Sequence, residues 1–93
     1  PTKTMPAKKK KMAPSHLQPS DLPLWEKLRA LRLAISRDQD IPPFVVFHDS
    51  TLAEMASAKP TTIEELLLIS GIGQLKADKY GEQFLDVIRI MEQ

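Results

Sequence analysis

The chain contains no cysteine, so neither a disulfide framework nor a thiolate zinc site is available to it. No apolar run approaches the roughly 20 residues needed to cross a bilayer, and no signal-peptide hydrophobic region occurs. These absences predict an intracellular domain without a membrane anchor, or a piece of a larger protein. His16 and His48 stand alone, with no spacing that suggests a metal pair. Nothing matches a phosphate-binding loop, so ATP hydrolysis by this segment itself is not expected. A two-metal nuclease gathers several carboxylates around one pocket. Here Asp38 and Asp40 flank a loop, Glu64 and Glu65 belong to a helix start, and Asp49 is a predicted cap. Each acid has a structural explanation, and no catalytic residue, metal or cofactor is expected.

The first twenty residues also lack something: they contain no acidic side chain. They hold Lys3, Lys8, Lys9, Lys10, Lys11 and four prolines, for a charge of +5, whereas residues 21–93 hold 8 basic and 12 acidic side chains, for −4. A Pro/Lys-rich segment with few apolar residues cannot bury enough surface to offset its ordering entropy. Residues 1–19 are therefore predicted to be a disordered basic linker or tail, and residues 20–93 a single domain. Lys8–Lys11 suit either a solubilising linker or a flexible contact to a polyanion. With all five tail lysines on a single strand, log K would fall against log salt with a slope of roughly 3.5.

The body reads as all helix. Ser20 or Asp21 is placed to cap a first helix, with Pro23 tolerated in its first turn. Leu24, Leu28, Leu31 and Ile35 form one narrow apolar stripe, flanked by Arg29 and Arg32 beside Trp25. Ile41-Pro42-Pro43 should end it, because a proline disfavours α geometry in the residue before it. The run Phe44-Val45-Val46-Phe47 is β-prone, but no second strand exists to pair with it. It is read as a short helical turn or an extended plug filling the core. Asp49 or Ser50 should cap a helix carrying Leu52, Met55 and Ala56, ended by Pro60. Thr62 and Glu65 form a capping box opening a short, central helix from Ile63 to Ile69. After Gly73, a last helix places Ala77, Tyr80, Phe84, Ile88 and Met91 on one stripe. Gly81 interrupts it at a cost of about 1 kcal/mol against alanine, which points to close helix packing.

Gly71-Ile72-Gly73 lies between two helical stretches, as in a tight helical hairpin. The glycines serve the turn, and the following helix start, with its unpaired N–H groups, also suits a phosphate. Lys76 and Lys79, in the next two turns, are close enough to assist. Arg29 and Arg32, one turn apart, either clamp adjacent phosphates or pair with acidic neighbours on a solvated flank.

Three motifs occur in order: Leu24-Trp25-Glu26-Lys27-Leu28-Arg29-Ala30-Leu31-Arg32, the run Ile41-Pro42-Pro43-Phe44-Val45-Val46-Phe47-His48-Asp49, and Ile69-Ser70-Gly71-Ile72-Gly73. Together they resemble the helicase-and-RNase-D C-terminal (HRDC) domain, most closely the version at the end of bacterial RecQ helicases. The resemblance covers residues 22–91. It implies a compact all-α five-helix bundle, SAM/helix-hairpin-helix-like, acting as a non-catalytic accessory domain of an ATP-dependent DNA helicase. It implies weak binding of single-stranded or junction DNA, roles in DNA repair and recombination, and helicase motor domains in the parent chain. A monomer in the bacterial cytoplasm, associated with the nucleoid, is expected. The resemblance marks Phe44 and nearby basic side chains as DNA contacts, so Phe44 is either a base-stacking platform or core. The acidic balance of the body departs from strongly DNA-binding members. It keeps open a protein-interaction module docking through an acidic surface.

Overall fold

The computed structural model describes residues 17–92. Lys8–Lys11 lie outside the described residues. A 3-10 turn at Pro19–Asp21 leads into five helices: α1 (Leu22–Gln39), α2 (Pro43–Val46), α3 (Asp49–Ala58), α4 (Ile63–Leu67) and α5. The last runs from Gln74–Lys76 through a π turn at Ala77–Gly81 into Glu82–Met91. Among the described residues there is no strand. Leu17 packs partly buried against the core.

The helix ends show how the sequence sets the path. α1 stops where Asp40 takes the left-handed conformation, and the Ile41 N–H donates to the Ser36 carbonyl at 2.9 Å. The two prolines then prevent continuation. Lys59 ends α3 in the same left-handed way, its N–H donating to Met55 at 2.8 Å. Thr62 caps α4, accepting from the Glu65 N–H at 3.2 Å.

Several caps differ from expectation. Asp21 occupies the cap position of α1, as expected, but in helical geometry and without a side-chain cap bond: its carboxylate binds Lys59 and accepts from the Gln18 N–H. His48, not Asp49 or Ser50, is the cap residue of α3, because Asp49 is drawn to Arg32. The capping box at α4 is out by one position, since the Glu65 carboxylate accepts from the N–H of Thr61 rather than Thr62. α4 is also less central than predicted: Leu66 and Ile69 are buried, whereas Leu68 is exposed.

The core is built around Phe47. Its ring meets Phe84 edge-on at 5.0 Å and Tyr80 at 6.0 Å. Trp25, Leu28, Leu52, Leu66, Leu85 and Ile88 close around them. The β-prone run is thus both of the things foreseen: a helical turn through Val46, then an extended Phe47 that plugs the core. Gly81 lies at a close approach of α4, where a Cβ would sit 3.0 Å from Ile63 Cδ1 and 3.1 Å from Leu66 Cδ2, so those side-chain ends would have to give by a few tenths of an ångström. The α5 backbone widens into its π turn over the same five residues, a feature the regular stripe did not announce.

Candidate nucleic-acid interface

α2 is the hub of the candidate site. A single turn that buries Val46 and is followed by buried Phe47 must present its other residues outward. Phe44 is accordingly 57% exposed and Val45 39% exposed. That settles Phe44 as surface rather than core. Its ring stacks on His48, one turn on, with centroids 6.1 Å apart and 23° between planes.

Arg32 holds this turn in place from beneath. It is buried, donates to the Phe47 carbonyl at 3.0 Å and pairs with Asp49 at 2.7 Å. One guanidinium thus links α1 to the end of α2 and the start of α3. Its Nη1 is engaged by Phe47 and Asp49, while the side chain also lines the concavity that holds Phe44 and His48. Arg29 remains at the surface. It lies 5.7 Å above the Trp25 ring and pairs with Glu26 at 3.3 Å, an exposed and therefore weak ion pair.

Three shallow concavities surround α2. One is lined by Arg32, Pro43, Phe44, His48, Asp49 and Ser50. A second runs along α1 past Glu26, Arg29, Leu33 and Pro43. The third lies on the far side, between Val45 and the first turns of α5, with Leu75, Lys76, Asp78, Lys79 and Tyr80. Lys76 stands 6.0 Å from the Phe47 ring centre and Lys79 5.4 Å from that of Tyr80. Neither lysine forms an ion pair among the described residues. Their stems lie along aromatic surface and their ammonium groups are available to an anion.

The two hairpin glycines separate. Gly71 has φ +90°, and a Cβ there would collide with Thr51 Oγ1, which itself donates to the Ser70 carbonyl at 3.2 Å. It is locked against α3 and belongs to the fold. Gly73 has ordinary extended backbone and open space where a Cβ would stand. It is not needed for the turn, contrary to the expectation for both glycines; it caps α5, whose exposed start carries Leu75 into the third concavity.

Phe44 and Arg29 thus border concavities that meet at Arg32 and Pro43, Lys76 and Lys79 stand with Val45 on the other side of α2, and Gly71 packs on Thr51 of α3. Sequence reasoning missed Val45, His48 and Leu75. Leu75 was detectable, since it falls off the Ala77–Tyr80–Phe84 stripe and is 80% exposed. His48 shows no metal spacing, and its separation of four from Phe44 is the signal for a one-turn pair. Among the described residues no group of His, Asp or Glu could hold a metal ion. No helix among them is long and apolar enough to cross a membrane.

A small helical module with a helical hairpin and an aromatic–basic rim is the class that this geometry defines. The HRDC domain family model matches residues 21–88, and the chain belongs to that family. It is 48% identical over 66 residues to the ATP-dependent DNA helicase RecQ of Bacillus subtilis, covering 71% of this chain and 11% of that protein. The corresponding helicase of Haemophilus influenzae is 42% identical over 69 residues, again 11% of its length. The chain thus spans about a tenth of these relatives. Among solved structures, D. radiodurans RecQ HRDC domain 3 superposes with a TM-score of 0.76 at 34% identity, covering 78% of this chain and 96% of that one.

Proposed function

We propose that the chain is a non-catalytic accessory domain of a RecQ-like DNA helicase. In this reading it holds single-stranded or branched DNA weakly over the α2 face and tunes substrate choice. Motor domains elsewhere in the parent protein unwind the duplex. The observation that carries the reading is Phe44: a large aromatic ring left in solvent on α2, with Arg29 beyond Pro43 and with Lys76 and Lys79 on the other side of the turn, next to Val45. An unpaired base can stack on such a ring whatever its identity, while the cations meet the backbone. Asp49, Asp78 and Glu26 lie in the same rim and limit affinity, consistent with a body of −4 that repels DNA at long range. Titrating a labelled single strand into the chain at low salt should move the amide NMR signals of Phe44, Val45, Leu75 and Lys76. Signals that stay put at saturating DNA would end the case for a site on this face.

The acidic side of the body favours a second reading, docking on the motor domains or a partner protein. Gel filtration with the parent motor fragment checks it. No association at high concentration counts against it.

A further inference from the structure

At the far end of α3 lies a groove unlike the α2 face. Glu54, Lys59, Pro60, Glu65, Leu68 and Ile69 line it, and Leu68 is 83% exposed there. Lys59, the one cation among these residues, is already paired with Asp21. Arg89 reaches the groove edge, donating to the Thr61 carbonyl at 2.7 Å, but Glu82 and Asp86 on its own helix compensate it. Glu54 in the lining, and Glu64 next to Glu65 in sequence, have no cation partner among the described residues. The groove is therefore apolar at its centre and negative at its margin. It is separate from the α2 face, because α3 is ten residues long and spans about 15 Å from His48 to Lys59.

The described chain begins beside this groove. The Gln18 N–H donates to Asp21, and Asp21 binds Lys59 in the groove wall. Lys11 is six residues before Leu17 and Lys8 nine, so an extended chain carries them about 20–30 Å. Five lysines and no acid stand upstream of a groove with uncompensated carboxylates. We propose that the chain's own basic tail docks in this groove, Lys8–Lys11 against Glu54, Glu64 and Glu65, with Met12 toward Leu68. This goes beyond the DNA reading, and it gives the acidic side an intramolecular occupant instead of a foreign protein.

The test needs no DNA, so its failure leaves the α2 reading intact. In the full chain, K8Q/K9Q/K10Q/K11Q should move the amide signals of Glu54, Lys59, Thr61, Glu65 and Leu68 at low salt, and leave Phe44 and Leu75 unmoved. At 1 M salt the Debye length is about 3 Å, and the difference should vanish. In an E54K/E64K background the lysine replacements should no longer move the groove. With D38K/E92K, an equal charge change elsewhere, they still should. The lysine replacements lie outside the described residues, and the unmoved Phe44 and Leu75 signals serve as the check that the fold is kept. Groove signals indifferent to the tail overturn the proposal, as does an effect that survives E54K/E64K. An effect that grows with protein concentration also overturns it, because the tail would then come from a second copy.

Discussion

Phe44 and Phe47 are three positions apart and do opposite work. Replacing Phe47 with alanine removes the ring that Tyr80 and Phe84 enclose and should cost about 3–5 kcal/mol, read from denaturant unfolding. Phe44→Ala should leave the unfolding midpoint nearly unchanged and weaken single-strand binding by roughly 1–3 kcal/mol, read by titration. A loss of stability there would place Phe44 in the core after all. The two roles were not separable in sequence, because a run of four β-prone residues gives no face; only the one-turn helix assigns inside and outside. Arg32 was illegible for a related reason. Beside Leu28 it reads as a flank, and its partners lie at 47 and 49, beyond two prolines. At Asp21, the hydrogen bond from Lys59, aided by the Gln18 N–H and opposed by burial, holds the carboxyl below its ordinary value. A depressed folded pKa contributes stability that is complete above the unfolded value, near pH 4, and lost as pH falls through the folded one. Asp21→Asn should therefore flatten the acid limb of a stability–pH profile and leave its neutral plateau lower.

Among the elements, the hairpin offers the sharpest contrast. Gly71→Ala forces a side chain into the left-handed region and against Thr51, and should cost about 1–3 kcal/mol. Gly73→Ala meets open space and ordinary backbone, so it should cost about 0.5 kcal/mol or less, a melting-temperature shift of no more than about 2–4 °C. Equal losses at both positions would mean that the turn is built differently. Helix identity was legible because apolar spacing and proline punctuation agree along α1, α3 and α5. The caps were not, because Asp21 and Asp49 find tertiary cations that outcompete the local N–H groups. The π turn was hidden too: the apolar spacing of Ala77, Tyr80 and Phe84 fits an unbroken α-helix.

For the whole molecule, charge is divided between a basic tail and an acidic body. Converting Lys3 and Lys8–Lys11 to glutamine should lower the slope of log affinity for single-stranded DNA against log salt by roughly 3.5 if all five meet phosphates. An unchanged slope would remove the tail from DNA binding and leave the α2 face to act alone. The family was readable from three motifs, but the division of faces was not, since residues on one helix, such as His48 and Lys59 at the ends of α3, serve opposite surfaces.

The hydroxyl of Thr51 reaches the Ser70 carbonyl nineteen positions away and fills the space above Gly71. That contact ties the hairpin to α3, which should make the two open as one unit. Segments joined in this way open together, so their amides should exchange with deuterium at a common free energy. Thr51→Val would keep the shape and remove the donor, and Ile72 should then exchange ahead of Leu52. The loop between the two helices would gain an independent motion that the native chain denies it.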